Sequence, residues 1–530
     1  MELIMTRDKY ILAVDHGTSG VKTSLVSTRG EAVGLEFERT PVCFSKGGGA
    51  EQDPEKWWRA LLNTTRKLVG KGIVPPENII AVCCSSTFSS TVAVGDDGTH
   101  LMNSLTWMDS RGAPLVKDKI GGFPSVLGYN VFKLLPWIMK TAGGPQLSGK
   151  DDIAHMLYVQ HKRPDIYKKT RMFLGSKDYL NLRLTGKFAA SYDAMSLFWV
   201  VNTRDINNPH YDDKLIKALG IDRDKLPPMM NSTDVLGEVL ADVAEQTGLP
   251  EGVKVVMGSP DHQSACIGSG AVRDFEGHLY IGTSSWIQCI VPFKKTDVLH
   301  SIATLPTAIP GRYYCANEQD VAGGSLAFLV EKILFPKTAI QPEEPPPDIY
   351  KKIDKLAKDV PPGSNKLIFT PWLNGERTPV DNTTVRAGLF NLSMSTTNPE
   401  IVRSVLEGVA YNTRWALGHV EKFIGRRMDP LNIVGGGGKS DVWCQIFSDV
   451  LGRRIRQVED PIQVNARGAA FIASVGLGHI TFDDIPDLTR YSNVFEPNTS
   501  NREIYDELYR EFLQIYKNNR AMYARLNKSH

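Results

Sequence analysis

The sequence has few cysteines for its length, and they form no pattern that would serve as cross-links or metal ligands. Its 530 residues include seven cysteines, none of them in a CxxC pair. Cys83 and Cys84 stand side by side in a strand-like run, where thiols usually behave as small buried hydrophobic groups. This argues against a disulfide framework and against a structural zinc site.

Long apolar runs and an excess of one charge are also lacking. No apolar run approaches the ~18 residues needed to span a bilayer, and the first residues contain no signal-like apolar stretch. Lysine and arginine total 61 against 59 acids, a formal net charge of +2. We therefore expect a cytoplasmic protein with neither a nucleic-acid nor a membrane partner. The length predicts two or three domains.

The most informative stretch lies near the N-terminus, where a short apolar run ends in Asp15. A Gly-Thr-Ser-Gly turn at residues 17–20 follows, and then a second β-rich run begins. The glycines permit a tight turn with inward-facing N–H groups. Thr18 and Ser19 add hydroxyls, Lys22 a positive charge and Asp15 a metal ligand, which together suit the terminal phosphates of a nucleotide. An ordinary hairpin explains this stretch equally well.

Residues 277–290 repeat this design as strand, Gly-Thr-Ser turn and strand. Thr283 matches Thr18, whereas Tyr280 or Ile281 fills the position that matches Asp15. Residues after each turn favour a strand, so the first three strands form a meander and not the strand–turn–helix of a dinucleotide-binding motif. The recurrence predicts a duplicated fold in which each half offers one phosphate-binding turn.

Asp261 directly follows a predicted buried strand at 252–258 and precedes small residues that open a helix. A carboxylate at a helix N-terminus stays ionised more easily, as a general base requires. The alternative is that Asp261 only caps the helix. Further candidates are Trp107-Met108-Asp109 with Arg111, for a sugar pocket, and the polar turn at 85–90. A core Trp beside an Asp–Arg pair is the alternative for the former.

A strand predicted at 431–434 runs into four glycines, Lys439 and Ser440, and then into a helix. Glycine lets the backbone approach a flat or anionic ligand closely, and a flexible surface loop is the alternative. Residues 341–347 are rich in proline and predict a solvated link. Ser500 and Glu503 have the spacing of a capping box for a C-terminal amphipathic helix.

Together these stretches resemble the FGGY family of carbohydrate kinases over most of the chain, from about residue 10 to residue 478. The motifs that carry the resemblance are Asp15-His16-Gly17-Thr18-Ser19, Ser259-Pro260-Asp261-His262, Gly435-Gly436-Gly437 with the following Ser448–Gly452, and the run from Gly388 to Gly408. The resemblance implies an α/β fold with two ribonuclease H-like domains of the actin and hexokinase type, flanking a catalytic cleft. It places an N-terminal domain at 8–270, a C-terminal domain at 271–490 and an amphipathic helix at 491–530.

The resemblance also assigns roles by position. Asp261 is the expected general base, and Asp15 and Asp261 are the expected ligands of Mg²⁺. The expected substrate contacts are Phe88, Ser89, Trp107, Asp109, Asp261 and His262. The expected ATP contacts are Thr18, Ser19, Lys22, Thr283, Gly323, Gly436, Gly437 and Ser440.

The expected reaction is ATP-dependent phosphorylation of a ketopentose such as xylulose, because the N-terminal half looks most like the xylulokinase branch. That branch usually carries Met-His where this chain has Phe88-Ser89, which leaves ribulose, glycerol or a longer ketose as alternatives. An actin-like ATPase switch is the alternative from another class. The expected partner is a small sugar or polyol, and the assembly considered is a homodimer.

Overall fold

The computed structural model describes residues 8–338 and 343–527, which form two lobes around a cleft. The predicted link at 341–347 is described only from residue 343 onward. Within the described ranges, no helix is both long and apolar enough to cross a membrane.

The N-terminal lobe is built on a six-stranded mixed sheet. In spatial order its strands are Val235–Glu238, Lys254–Val256, Ile79–Ser86, Tyr10–Gly17, Gly20–Ser27 and Ala32–Arg39. The last three form the predicted antiparallel meander, and Ile79–Ser86 runs parallel to the first of them. Helix Pro54–Gly70, capped by Asp53, packs against the meander.

A second sheet and several short hairpins complete this lobe. The second sheet has the order Met172–Gly175, Thr91–Val94, Ser104–Leu105, Gly49–Gln52 and Cys43–Ser45. The paired short strands are Ser125–Val126 with Tyr129–Asn130, Ala190–Ser191 with Met229–Met230, and Val201–Asn202 with His210–Tyr211. The remaining helices are Ala113–Ile120, Val131–Lys140, Asp152–Lys162, Pro164–Lys169, Ser176–Thr185, Asp213–Leu219, Ala241–Thr247 and Asp261–Gly268.

The C-terminal lobe has a five-stranded sheet of the order Ser285–Gln288, Gly277–Ile281, Leu431–Val434, Ile455–Val458 and Tyr491–Phe495. A four-stranded sheet follows the order Ile290–Val291, Tyr313–Ala316, Ile302–Pro306 and Thr296–Asp297, and Ile368–Thr370 pairs with Gly388–Phe390. Its helices are Gly323–Phe328, Ile349–Lys358, Asn398–Ile424, Asp441–Leu451, Val464–Gly476, Ile485–Leu488 and Arg502–Leu526.

The C-terminal segment differs from the prediction in two respects. Residues 491–530 were expected to form a helix, but Tyr491–Phe495 is a strand that pairs with Ile455–Val458. The helix begins at Arg502 without a capping box, because the Ser500 hydroxyl instead bonds Asn498 at 2.7 Å. Residues 528–530 lie outside the described part.

Both lobes share one core arrangement, which confirms the predicted pair of ribonuclease H-like domains. In the first lobe the hairpin Tyr10–Gly17/Gly20–Ser27 lies beside the parallel strand Ile79–Ser86. In the second lobe the hairpin Gly277–Ile281/Ser285–Gln288 lies beside the parallel strand Leu431–Val434. We call these the first and the second hairpin. Their turns are the two Gly-Thr-Ser segments identified in the sequence.

The lobes are joined by two helices, Asp261–Gly268 and Val464–Gly476, that cross in backbone contact. A Cβ added to Gly468 would overlap the carbonyl oxygen of Ser264, and one added to Gly268 would overlap that of Val464. Each helix thus has a glycine where the other helix presents its backbone. Both crossing positions require a residue without a side chain.

We predict that Gly468→Ala lowers the free energy of unfolding by about 1–3 kcal/mol, the range for overpacking a close contact. The obstacle is a backbone oxygen of the partner helix, which cannot rotate away. Chemical denaturation measures this loss. Gly418→Ala is the matched control, since Gly418 is helical and its Cβ would meet nothing within 4 Å. That variant should gain about 0.5–1 kcal/mol from helix propensity. Equal stabilities of the two variants would contradict the close crossing.

Candidate functional site

The turn of the first hairpin presents hydroxyl groups to the cleft. Ser19 is exposed at its tip, and Thr18 is half-buried behind it. The indole N–H of Trp107 donates to Thr18 Oγ at 3.0 Å. This bond holds the predicted phosphate turn against a predicted sugar residue, so the two halves of the expected site adjoin.

The turn of the second hairpin is held in place by hydrogen bonds from residues 322–324. The carbonyl oxygen of Thr283 accepts the N–H groups of Ala322 at 2.8 Å and Gly324 at 3.1 Å. The Thr283 residue itself remains exposed. A contact of its hydroxyl with a phosphate stays a prediction.

Asp15 lies near the end of its strand and is 6% exposed. Lys22 Nζ is 3.3 Å from one of its carboxylate oxygens, and Asn465 Nδ2 donates to the other at 3.2 Å. Asn465 belongs to the connecting helix Val464–Gly476. The sequence analysis missed Asn465, because 450 residues separate it from Asp15. An amide from the other half of the chain therefore orients this carboxylate.

Asp261 is the first residue of its helix, and Pro260 holds the N-cap position. Its carboxylate accepts the neighbouring His262 N–H at 2.9 Å. Burial raises the pKa of Asp261 well above its usual value, and the negative charges of Asp15 and Glu318 raise it further. Negative charge from both lobes thus acts on Asp261, which fits a cleft residue better than a helix cap.

A row of aromatic rings runs beside Asp261 from one lobe to the other. Phe88 meets the His262 ring edge-on at 5.7 Å between centroids. His262 stacks on Trp286 at 4.0 Å, and Trp286 stacks on Tyr280 at 3.9 Å. The sequence indicated Phe88 and His262 but not Trp286, whose only signal was its place just after the second turn.

The remaining sugar-side candidates are more enclosed than expected. Ser89 is buried and adopts a φ of 53°. Asp109 is fully buried, and its carboxylate accepts the Ala50 N–H at 2.9 Å and the Arg111 guanidinium at 2.6 Å. This is the Asp–Arg pair that the sequence offered as the alternative. A direct contact of Asp109 with a sugar stays a prediction.

The glycine candidates for the nucleotide pack against the second hairpin. A Cβ on Gly323 would overlap the Gly282 carbonyl, and one on Gly437 would overlap the Ile281 side chain. Gly436 instead faces open space, with nothing within 4 Å of its would-be Cβ. The backbone at Gly323 and Gly437 thus packs closely against the second hairpin, whereas the space beside Gly436 is open. This open space fits a flat ligand.

Ser440 caps the helix that follows the glycines. Its hydroxyl accepts the Trp443 N–H at 3.0 Å and lies 2.6 Å from Asp354. Both contacts fix the end of the glycine-rich segment. A direct contact of Ser440 with ATP therefore stays a prediction.

A charged cluster of the C-terminal lobe borders the base, and the sequence analysis did not identify it. Arg377 pairs with Glu318 and, at 3.3 Å, with Asp320. Burial, with the nearby charge of Arg377, lowers the pKa of His262 to about 3. The cluster therefore lies close to the aromatic row. No sequence pattern indicates this cluster, because the pairing of Arg377 with Glu318 and Asp320 depends on the fold.

The carboxylates of Asp15 and Asp261 fit a Mg²⁺ ion held jointly by protein and phosphates. The described residues contain no group of three or more His, Cys, Asp or Glu side chains suited to a metal. Mg²⁺ in phosphoryl-transfer sites commonly takes one or two carboxylates and completes its shell with phosphates and water. The mutual repulsion of the two carboxyl groups is what a cation between them would relieve.

Two facing lobes of this fold, each with a hydroxyl-bearing hairpin turn at the cleft, define an ATP-dependent phosphotransferase. Family models for the N-terminal and C-terminal domains of the FGGY family of carbohydrate kinases match residues 10–268 and 278–477. The chain belongs to this family and is an ATP-dependent sugar kinase.

Individual relatives cover almost the whole chain. The xylulose kinase of Bacillus subtilis is 27% identical over 516 residues, 96% of this chain and 97% of that protein. A ligand-bound xylulose kinase and a gluconate kinase, both from Lactobacillus acidophilus, each superpose with a TM-score of 0.84 at 25% identity. Each pairing covers 98% of this chain and 100% of the other.

We predict that stability falls with acid below pH 6.5, in part because of His16. Its ring is fully buried 4.4 Å from Trp57, and its nitrogens have no partner among the described residues. Burial lowers the pKa of His16 to about 3. The unfolded chain takes up a proton that the folded chain refuses, so stability is lost as pH falls, by about 1.4 kcal/mol per unit between these pKa values.

The variant His16→Phe keeps a ring against Trp57 and removes this titration. Its unfolding free energy, measured by denaturation from pH 7.5 to pH 4.5, should depend less on pH than that of the wild type. Parallel curves for the two proteins would show that His16 is not held neutral.

Proposed function

We propose that this kinase phosphorylates a hydroxyl of a ketopentose such as xylulose, with Mg²⁺ accompanying ATP and Asp261 as the general base. Supporting this is the position of Asp261, which begins a connecting helix beside Asp15 and next to the aromatic row. The relatives named xylulose kinase favour a ketose, and the gluconate kinase keeps a sugar acid as the second candidate.

In the proposed reaction the sugar hydroxyl attacks the γ-phosphorus of ATP. The new P–O bond forms as the bond to the β-phosphate bridging oxygen breaks, and ADP leaves. The proton of the attacking hydroxyl passes to Asp261 Oδ. Such a transfer needs positioning and electrostatic stabilisation more than a protein nucleophile.

The chain's own residues supply this positioning. Thr18, Ser19 and Lys22 address the phosphates from the first hairpin, and Thr283 does so from the second. Asp15, oriented by its bond from Asn465, would hold Mg²⁺ together with Asp261, and the ion would offset negative charge on the phosphates. Closure of the lobes would exclude water and suppress ATP hydrolysis.

We predict that Asp261→Asn lowers kcat by at least about 100-fold, the lower range for loss of a general base. The amide keeps the side chain's size, and Asp15 and the phosphates would still hold Mg²⁺, so ATP affinity should change less than kcat. Coupled ADP-release assays with a panel of ketoses, polyols and gluconate measure turnover. Asp213→Asn is the matched control, because Asp213 also begins a helix but is exposed away from the cleft.

Near-normal turnover of Asp261→Asn would reject the assignment of the base. ATP turnover by the wild type that no added sugar accelerates would instead support an actin-like ATPase switch. Stimulation by a single substrate class identifies the sugar.

A further inference from the structure

A small polar pocket lies beneath the turn at residues 85–90, beside the proposed base. Its volume is about 20 Å³, which is room for one water-sized group. The polar side chains lining it belong to Ser86, Thr87, Ser89, Asp152, Lys177 and Asp178. Phe88 and Pro260 also line it, and these residues adjoin His262 and Asp261. Pro260 directly precedes Asp261 in the chain, so the pocket lies next to the residue proposed to accept the proton.

The pocket contains a carboxylate oxygen that lacks a partner. Asp178 is 1% exposed, and Lys177 Nζ donates to its Oδ1. The other oxygen, Oδ2, is buried and has no hydrogen-bond partner among the described residues. Leaving a buried acceptor unsatisfied is costly, so such an oxygen usually meets a donor from water or a ligand.

The ammonium group of Lys177, which lines the pocket, already donates to two acceptors. Lys177 is 1% exposed, and its ammonium donates to Asp178 and, at 3.2 Å, to the carbonyl oxygen of Met257. Asp178 therefore offsets most of its charge. A negatively charged group entering the pocket would have to compete with Asp178 for this ammonium.

A second carboxyl group in the lining shows how poorly this pocket tolerates negative charge. Asp152 is 2% exposed and accepts the Thr91 hydroxyl at 2.7 Å. Burial raises the pKa of Asp152 to about 7, despite the hydroxyls of Thr91 and Ser89, and the adjacent Asp151 adds to the rise. A ligand carboxylate would bring a further charge to the same enclosed space.

We propose that this pocket receives one neutral hydroxyl at the far end of the sugar and rejects a carboxylate there. The hydroxyl donates its proton in a hydrogen bond to Asp178 Oδ2. A carboxylate has no proton to donate, has two oxygens where there is space for one group, and meets two carboxyl groups. The inference rests on the sugar-kinase function proposed above, and it selects neutral ketoses and polyols over sugar acids.

The test compares kcat/KM for xylulose with kcat/KM for gluconate in coupled ADP-release assays. The wild type should prefer the ketose by at least about 10- to 100-fold, the value of one hydrogen bond to a charged group. Asp178→Asn replaces the acceptor with a donor and removes a charge. It should raise KM for xylulose about 10-fold, change kcat less, and reduce the preference.

Asp178→Asn also breaks a buried ion pair, so Asp152→Asn provides a second variant if the first does not fold. Removing the charge of Asp152 should likewise reduce the preference for the ketose, by about 10-fold. The matched control is Asp212→Asn, because it breaks another Asp–Lys pair, with Lys140 at 2.8 Å, and Asp212 lies outside the pocket lining. It should lower stability without changing the ratio.

A wild type that prefers gluconate would overturn the inference. So would an unchanged ratio in whichever of the two pocket variants folds, or an equal change in the Asp212 control. If no sugar accelerates ADP release, the proposed function itself fails, which is a different result from altered selectivity. Binding of xylitol and gluconate to the wild type, measured by calorimetry, then still tests whether the pocket rejects a carboxylate.

Discussion

The backbone contact between the two connecting helices is the constraint on which the site depends. Gly268 and Gly468 let the helices cross without intervening side chains. One of these helices begins with Asp261, and the other carries Asn465, which bonds Asp15. The proposed base and the partner of the carboxylate proposed to bind Mg²⁺ are thus held on two elements in direct contact. A wider crossing would move both residues at once.

Crowding of negative charge is the second organising feature of the cleft. Asp15, Asp261 and Glu318 lie close enough for the first and third to raise the pKa of the second. Lys22 offsets Asp15, and Arg377 offsets Glu318. Asp261 makes no ion pair among those found in the described residues. The negative charges of Asp15 and Glu318 therefore act on a carboxyl group that has no counter-charge in the part of the chain that the structure describes. By raising its pKa they make Asp261, the group proposed to accept a proton, a stronger base.

The sequence predicted the features that arise within short stretches. The two hairpins, the acid at the end of the first strand and Asp261 at a helix start all follow local patterns of apolar, glycine and hydroxyl residues. Asn465 and Arg377 were missed because their partners lie at least 57 residues away along the chain. Trp286 was missed because no local pattern indicates that it stacks on His262. The strand Tyr491–Phe495 was missed because it is a largely exposed edge strand. Such a strand shows little of the alternation of apolar and polar residues by which strands are recognised. Asp109 showed the limit of a motif, since its spacing allowed both a sugar contact and the pair with Arg111 and did not decide between them.

The two hairpins share a backbone design but differ in charge, so the charge distribution across the cleft is asymmetric. Asp15 lies near the end of the first hairpin's leading strand, whereas Tyr280 lies near the end of the second and stacks on Trp286. Of the two hairpins, the first therefore has a carboxylate that can bind a cation, whereas the second has the flat, uncharged ring of Tyr280 at the matching place. The duplicated halves are therefore not interchangeable, because a cation bound at Asp15 as proposed would meet the nucleotide's phosphates in one orientation only. The two repeated folds form the cleft, and the difference between Asp15 and Tyr280 makes its two sides unequal in charge.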